Sequence, residues 1–121
     1  EDLKNKLREA RCFYYSGTQP SPYTLSFIEA MMMGIPVVAV GAKLRDSGAF
    51  RWNHYEIPEI ISNGVNGYIS DDISELRNYI ELLLNDQAKA KQIGEAGRQT
   101  AIKLFSKMPI YHQWASFLRD I

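Results

Sequence analysis

The segment from Ser16 to Thr24 has the residue pattern best suited to bind a charged ligand. It follows a run of strand-forming aromatic residues and leads directly into a helical pattern that begins near Leu25. The first turn of a helix leaves backbone N–H groups unpaired and carries a partial positive charge, and both features suit a phosphate group. Thr24 can cap this helix or present its hydroxyl to a ligand. A capped helix without a ligand fits the local pattern equally well.

Glu29 is placed in the second turn of the same helix. Helical spacing puts it on the side of Ser26 and Met33, away from Ile28 and Met32. A carboxylate in this position can accept two hydrogen bonds from the neighbouring hydroxyls of a ribose. The alternative is a solvated glutamate, which is the usual environment of this residue type.

Short apolar segments that alternate with helical patterns must position these residues. Core strands are expected near residues 12–16, 36–40 and 67–70. Between the first two strands, a helix with Leu25, Ile28 and Met32 on its apolar side ends at Gly34. This alternation predicts parallel strands joined by right-handed crossovers. The fold class is therefore α/β, a Rossmann-like three-layer parallel sheet that resembles half of a doubly wound domain.

Residues 72–121 form a helical tail in this prediction. Asp72 followed by Glu75 is typical of a capping box, and Asp86 can cap a second helix. Gly94 and Gly97 weaken the second helix but allow close packing. The expected apolar positions of the two helices are Ile73, Leu76, Ile80 and Leu83, then Ile93, Ala96, Ala101 and Leu104.

A final helix is expected to begin near Pro109, because proline suits the first turn. Its apolar side contains Tyr111, Trp114, Phe117, Leu118 and Ile121. Within this chain alone, Tyr111 and Trp114 are expected to pack against its own sheet. If they instead serve a further domain, its absence leaves them exposed, and self-association follows.

In open α/β sheets, ligands bind beyond the carboxyl ends of the strands. Three segments meet this condition: residues 16–24, residues 41–55 and the turn after residue 69. The second is long for a loop in a compact domain, which favours a functional role. Its Arg45, Arg51 and His54 could face a phosphate or a sugar, although solvated charges are the simpler interpretation of each.

Composition excludes several classes of protein. Basic and acidic residues balance at 14 each, so no strongly basic field attracts nucleic acid. Cys12 is the only cysteine, so an internal disulfide is excluded, no metal site is expected, and a buried strand position suits this residue. His54 and His112 stand in unrelated contexts without a nucleophile motif, which argues against a hydrolase.

The string from Glu29 to Val38 makes a family resemblance specific. It reads Glu-Ala-Met-x-x-Gly-x-Pro-Val-Val and resembles the donor-site signature of retaining GT-B glycosyltransferases of the group 1, family 4 type. Residues 57–68 resemble the next block of the same family. The resemblance covers nearly the whole chain.

The resemblance implies that the chain is the C-terminal half of a GT-B donor domain. The helix start at Tyr23, Thr24 and Leu25 then holds the diphosphate of a nucleotide-sugar donor through backbone amides, and Glu29 binds the ribose. It also implies no metal or other cofactor, transfer with retention of configuration, and a final helix that packs toward an N-terminal acceptor domain.

Three departures from the family pattern stand out. Ser21 occupies the position of a glutamate that normally contacts the donor sugar, so the handling of that sugar is in doubt. The usual glycine-rich loop after the Pro-Val-Val strand is replaced by Lys43 to Tyr55. The basic pair that neutralises the diphosphate and the acceptor domain itself belong upstream of this chain.

The sequence therefore predicts a partial nucleotide-sugar-binding domain over residues 1–121 that belongs to a glycosyltransferase and is inactive alone. Its catalytic residues are not identified. A cytoplasmic location, with peripheral membrane association of the longer protein, is the expected setting. Two alternatives stay open: a non-catalytic nucleotide-binding or sugar-binding module, and a flavodoxin-like regulatory or interaction domain. Asp71 and Asp72 are interpreted as helix caps, which weakens the regulatory alternative.

Overall fold

A computed structural model describes residues 11–16, 25–45 and 56–119 of the chain, without the side chains of residue 45 and residues 107–111. Its elements, in chain order, are β1 (Phe13–Tyr15), α1 (Leu25–Met32), β2 (Val37–Val40), α2 (Ala42–Arg45), α3 (Ile57–Ile60), β3 (Tyr68–Ser70), α4 (Ile73–Asn85), α5 (Gln87–Phe105) and α6 (Lys107–Arg119).

The described strands form one parallel sheet in the order β1-β2-β3. Tyr15 pairs with Ala39, and Val40 pairs with Ser70, so all three strands end near one edge. All four residues of β2 are buried, as expected for a strand that other elements cover on both faces. The predicted strands and the parallel α/β fold class are therefore confirmed.

Alternation along β2 divides the core between the two faces of the sheet. Val37 and Ala39 belong to a cluster with Phe27 and Met31 of α1 and with residues of α3. Val38 and Val40 belong to a second cluster with residues of β3, α4 and α5, among them Leu76, Leu83 and Ile93. Ala101 of α5 reaches the first cluster, so this long helix packs into both. Helices thus cover both faces in three layers.

The two crossover connections carry their helices, α1 and α3, on the same face of the sheet. Strands that follow one another in a single direction require this arrangement when both connections have the same hand, and right-handed connections are the rule. The chain leaves each strand at its carboxyl end, so α1, α2 and α4 all begin near the same edge of the sheet.

The buried side of α1 differs from the predicted one. Phe27, Ala30 and Met31 are fully buried, whereas Leu25 is 71% exposed. The prediction for Leu25 is wrong because this residue lies two positions before Phe27, about 200° of helical rotation from the buried side of α1. Gly34 ends the helix with φ of 74°, as its predicted role requires.

The tail confirms both predicted caps. Asp72 accepts a hydrogen bond from the backbone N–H of Ser74, and Asp86 accepts one from that of Lys89. Ile73 is 70% exposed, so its predicted place in the core is wrong: it precedes the part of α4 that covers the sheet, which begins at Leu76. Gly94 and Gly97 are buried, as close packing requires.

The last helix, α6, has its main contact with α5 rather than with the sheet. Trp114, Phe117 and Leu118 are 60%, 57% and 61% exposed, which overturns the expectation that Trp114 packs against the sheet. The Tyr111 side chain and Ile121 lie outside the description. None of the described helices is long and apolar enough to cross a membrane.

Candidate functional site

The carboxyl edge of the sheet brings together the described parts of the three segments predicted to carry a ligand. Ser16 follows β1, Gly41 follows β2, and Asp71 follows β3. The backbone N–H of Gly41 donates to the carbonyl oxygen of Ser70 over 2.7 Å, which extends the pairing of β2 and β3 by one residue. This edge is where open α/β sheets bind ligands, so we take it as the candidate site.

The start of α1 lies on this edge. Leu25 is its first residue, and its side chain is exposed. The first N–H groups of a helix have no partner inside the helix, so they can bind an anion here. Ser21, Tyr23 and Thr24, which the sequence assigns to the same site, lie outside the described residues.

Glu29 lies on the side of α1 that faces away from the core. Two residues correspond to about 200° of helical rotation, so Glu29 points away from Phe27 and its buried neighbours. The side chain is partly buried. Among the described residues its carboxylate has no ion pair or hydrogen-bond partner, although its backbone carbonyl accepts from Met33. Within residues 11–16, 25–45 and 56–119, therefore, a structural ion pair does not account for this glutamate.

The turn after β3 holds a polar arrangement that sequence reasoning missed. Asp71 accepts a hydrogen bond from the backbone N–H of Leu44 over 2.9 Å, across 27 residues of sequence. Both acids were expected to cap helices, and both do: Asp72 caps α4, whereas Asp71 accepts from a first-turn N–H of α2, a helix far away in the sequence. Only the unexplained second acid of the Asp-Asp pair could have signalled this role.

Ser70 and Glu75 complete the turn. The Ser70 hydroxyl donates to a Glu75 oxygen over 3.1 Å and accepts from the backbone N–H of Asp72 over 2.9 Å. The predicted capping box is therefore modified, because Glu75 reaches the N-cap N–H through the serine hydroxyl. Among the described residues, no group of His, Cys, Asp and Glu side chains could hold a metal ion.

Asn66 fixes the loop that leads into β3. It is 7% exposed, and its side-chain oxygen accepts from the backbone N–H of Ser62 over 2.7 Å. Its amide donates to the Ile60 carbonyl and to the Thr100 hydroxyl, both over 3.0 Å. The loop is thereby connected to α5, across 34 residues of sequence.

Two side chains near the second cluster have shifted acidities. Cys12 is half-buried and lies just before β1 rather than at a buried strand position, and burial raises the pKa of its thiol. Burial raises the pKa of Tyr68, and the neighbouring Tyr79 and Asp86 raise it further. The ring of Tyr68 stacks on that of Tyr79 with 4.4 Å between centroids. Neither group is part of the candidate site.

The cationic residues of the second segment are only partly described. The side chain of Lys43 is exposed on α2, near the carboxyl edge. The Arg45 side chain, Arg51 and His54 lie outside the description, so their predicted contact with a phosphate or a sugar stays a prediction.

The parallel sheet, its helical layers and the open carboxyl edge define a Rossmann-like α/β domain of the class that binds ligands at the strand ends. The family model of glycosyl transferases group 1 matches residues 1–100, and the chain belongs to that family.

Two solved structures share this fold with a TM-score of 0.75 and 24% sequence identity. They are crystal structures of Anabaena Alr3699/HepE, one in complex with UDP-glucose and the other with UDP and glucose. Each match covers the whole of the present chain and 30% of the Anabaena chain. Comparison of the sequence with curated proteins finds no match.

Proposed function

We propose that this chain is the nucleotide-sugar-binding part of a GT-B glycosyltransferase. The observation that carries the proposal is Glu29, an acid without a described structural partner on the solvent side of a helix that begins at the carboxyl edge. Family membership supports a transferase lineage, and the fold is shared with a protein crystallised with UDP-glucose. Together these support a donor site at this edge.

In the proposed site, the start of α1 binds the diphosphate of the donor, and the second turn of α1 binds its ribose. Backbone N–H groups at Tyr23, Thr24 and Leu25 hold the diphosphate, because the helix start supplies unpaired donors and a favourable dipole. Glu29 accepts hydrogen bonds from the ribose hydroxyls. Ser21 takes the place of the glutamate that contacts the donor sugar in the family pattern, and its neutral hydroxyl cannot supply the charge of a carboxylate.

In our proposal, this chain alone does not catalyse sugar transfer. Catalysis of transfer depends on holding donor and acceptor together in a closed cleft, and one half of a cleft cannot do so. The chain covers 30% of the Anabaena protein of the same fold. We therefore propose that residues 1–121 are a partial donor domain that works with an N-terminal acceptor domain, without a metal ion and with retention of configuration.

A binding panel tests the donor site. The wild-type chain is titrated with UDP, GDP, ADP and CDP and with their sugar conjugates, by calorimetry and thermal shift. A ligand at about 100 times its dissociation constant adds about 2.7 kcal/mol of stability. We expect one base to be selected. If no nucleotide binds at any accessible concentration, the proposal is wrong.

Variants of Glu29 assign the ribose contact. Glu29→Ala should raise the dissociation constant of the selected nucleotide by roughly 10-fold to 100-fold, which is the range for a lost hydrogen bond to a charged group. The melting temperature without ligand should hardly change, since the carboxylate has no described partner. Glu81→Ala removes an exposed glutamate of α4 and is the matched control. Equal affinity in the two variants would remove Glu29 from the site.

The departure at Ser21 favours a second candidate function, a non-catalytic nucleotide-binding module. A module of this kind binds the nucleoside diphosphate and gains nothing from the attached sugar. A transferase donor site binds the sugar conjugate differently from the free nucleotide, because the sugar occupies its own contacts. The ratio of the two affinities, measured in the wild type and in Ser21→Glu, distinguishes the candidates.

A further inference from the structure

The short helix α2 receives a hydrogen bond from a residue far away in the sequence. It contains four residues, too few to be stable by itself. The backbone N–H of Leu44, in its first turn, donates a hydrogen bond to the carboxylate of Asp71. The Leu44 side chain packs against the cluster that contains Val40. Among the described contacts of the helix are therefore a polar one to Asp71 and an apolar one to the core.

Gly41 provides the space that the Asp71 carboxylate occupies. A Cβ atom on Gly41 would overlap one carboxylate oxygen and would lie 2.6 Å from the carboxyl carbon and 2.8 Å from the other oxygen. Gly41 is not among the described glycines with positive φ, so its backbone does not itself require glycine. The absence of a side chain matters here because it lets the carboxylate approach the backbone closely.

The position of this contact connects it to the candidate site. Gly41 is the first residue after β2, and its N–H pairs with Ser70, the residue before Asp71. Adjacent strands are about 4.8 Å apart, so the ends of β2 and β3 and the start of α2 form one continuous rim on the carboxyl edge. Asp72, the neighbouring acid, contacts Ser74 of α4 instead.

We propose that Asp71 is a positioning residue that fixes α2 on the carboxyl edge, with Gly41 as its seat, and thereby shapes the proposed donor site. The inference rests on the proposed function for its effect on ligand affinity. The seating of α2 itself depends only on the contacts above. A fixed rim binds a ligand more tightly than a mobile one, because less order has to be created on binding.

Amide hydrogen exchange tests the seating without any ligand. Asp71→Ala should speed exchange at Leu44 by roughly tenfold, because the hydrogen bond that protects this N–H is lost. Asp71→Asn keeps an oxygen acceptor and should restore slow exchange. Asp72→Ala removes the cap of α4 and should leave Leu44 unchanged, which controls for a general loss of stability. Wild-type exchange at Leu44 in Asp71→Ala would overturn the proposal.

A double-mutant cycle tests the seat. Gly41→Ala should lower the free energy of unfolding when the Asp71 carboxylate is present. The loss should be much smaller in the Asp71→Ala background, where the space is free. Strictly additive effects of the two substitutions would overturn the assignment of Gly41.

A ligand measurement completes the test, with UDP-glucose as the probe. Asp71→Ala should raise its dissociation constant by roughly threefold or more, whereas Asp71→Asn should stay near the wild type. Faster Leu44 exchange with unchanged affinity would overturn the role in shaping the site. If the wild type binds no UDP-glucose or other nucleotide sugar, the donor function fails, and exchange and the mutant cycle still decide whether Asp71 seats α2.

Discussion

Gly94 of α5 lies against the carbonyl group of Gly34, so closely that a Cβ atom on Gly94 would overlap the carbonyl oxygen and lie 2.9 Å from the carbonyl carbon. Gly34 is the turn residue between α1 and β2, within the string that resembles the donor-site signature. The contact therefore fixes the distance between the long tail helix and the turn that follows the helix of Glu29.

Gly94→Ala should destabilise the fold. An added methyl has to displace backbone atoms of Gly34 and also meets the ring of Pro36 at 3.3 Å. Overpacking of this kind costs about 1–3 kcal/mol, more than the roughly 1 kcal/mol that alanine gains as a helix former. Urea unfolding, followed by circular dichroism, measures the difference.

Gln92→Ala is the matched control for this experiment, because Gln92 is an exposed residue of the same helix. It should change stability by less than about 0.5 kcal/mol. A Gly94→Ala variant as stable as this control would show that the two backbones can separate without cost.

Asn66→Ala should be strongly destabilising. The substitution leaves the part-buried N–H of Ser62 and carbonyl of Ile60 without their side-chain partner, and it removes the connection to Thr100. A buried polar group left without its partner costs about 1–3 kcal/mol. Thermal and chemical unfolding of the variant give the value.

Asn78→Ala provides the comparison, since Asn78 is an exposed asparagine of α4. It should unfold within about 0.5 kcal/mol of the wild type. Similar stabilities of the two variants would mean that solvent replaces the Asn66 hydrogen bonds without penalty.

The strands and helices were predictable where a local pattern decides the structure. The unbroken apolar run of β2 reads as a strand because both of its faces are buried, and Gly34 ends α1 because it tolerates positive φ. Asp72 and Asp86 were found because an N-cap contacts residues only two or three positions away. These features require no knowledge of distant parts of the chain.

The residues that escaped prediction depend on distant contacts. Leu25 and Ile73 fit helical periodicity, but periodicity alone does not show which side of a helix faces the sheet or how far along the helix the sheet reaches. Asp71 contacts an N–H 27 residues away, and no spacing rule covers such a pair. In the candidate site, Glu29 was predicted from its place in the second turn of α1 and from the family string, and its lack of a described partner became visible only in the structure.

The stability of the folded chain should decline at alkaline pH because of the ionisation of Tyr68. Its pKa is raised in the folded chain, so the unfolded chain ionises first as the pH passes about 10, the ordinary value for tyrosine. The contribution of Tyr68 to the free energy of unfolding is complete below that pH and is lost as the pH rises through the pKa of Tyr68 in the folded chain. Urea unfolding at a series of pH values should show a shallower decline in Tyr68→Phe.

Tyr14→Phe serves as the control, because Tyr14 is 48% exposed and its substitution removes a phenolic hydroxyl without creating a cavity in the core. Cys12 adds to the decline in the same direction, since the pKa of its thiol is also raised, and Cys12→Ala measures that part. An identical alkaline decline in Tyr68→Phe and the wild type would show that Tyr68 is not its source.

The exposed side of α6 should make the chain self-associate at high concentration. Trp114 and Phe117 contact each other edge to face with 5.9 Å between ring centroids, and together with Gln113 they line a shallow surface pocket. Adjacent exposed apolar side chains lose water when two copies meet, and this stabilises association. Sedimentation of the wild-type chain over a range of concentrations should show a mass that increases with concentration.

The double variant with Trp114→Ser and Phe117→Ser should abolish that increase in mass, because it replaces the exposed aromatic pair with polar side chains. Leu84→Ser changes a 52% exposed leucine of α4 and should leave the association unchanged, which separates this surface from apolar exposure in general. If both variants reduce association equally, the contact is not specific to α6. If the wild type stays monomeric throughout, exposure of these aromatic residues alone is too weak to join two copies.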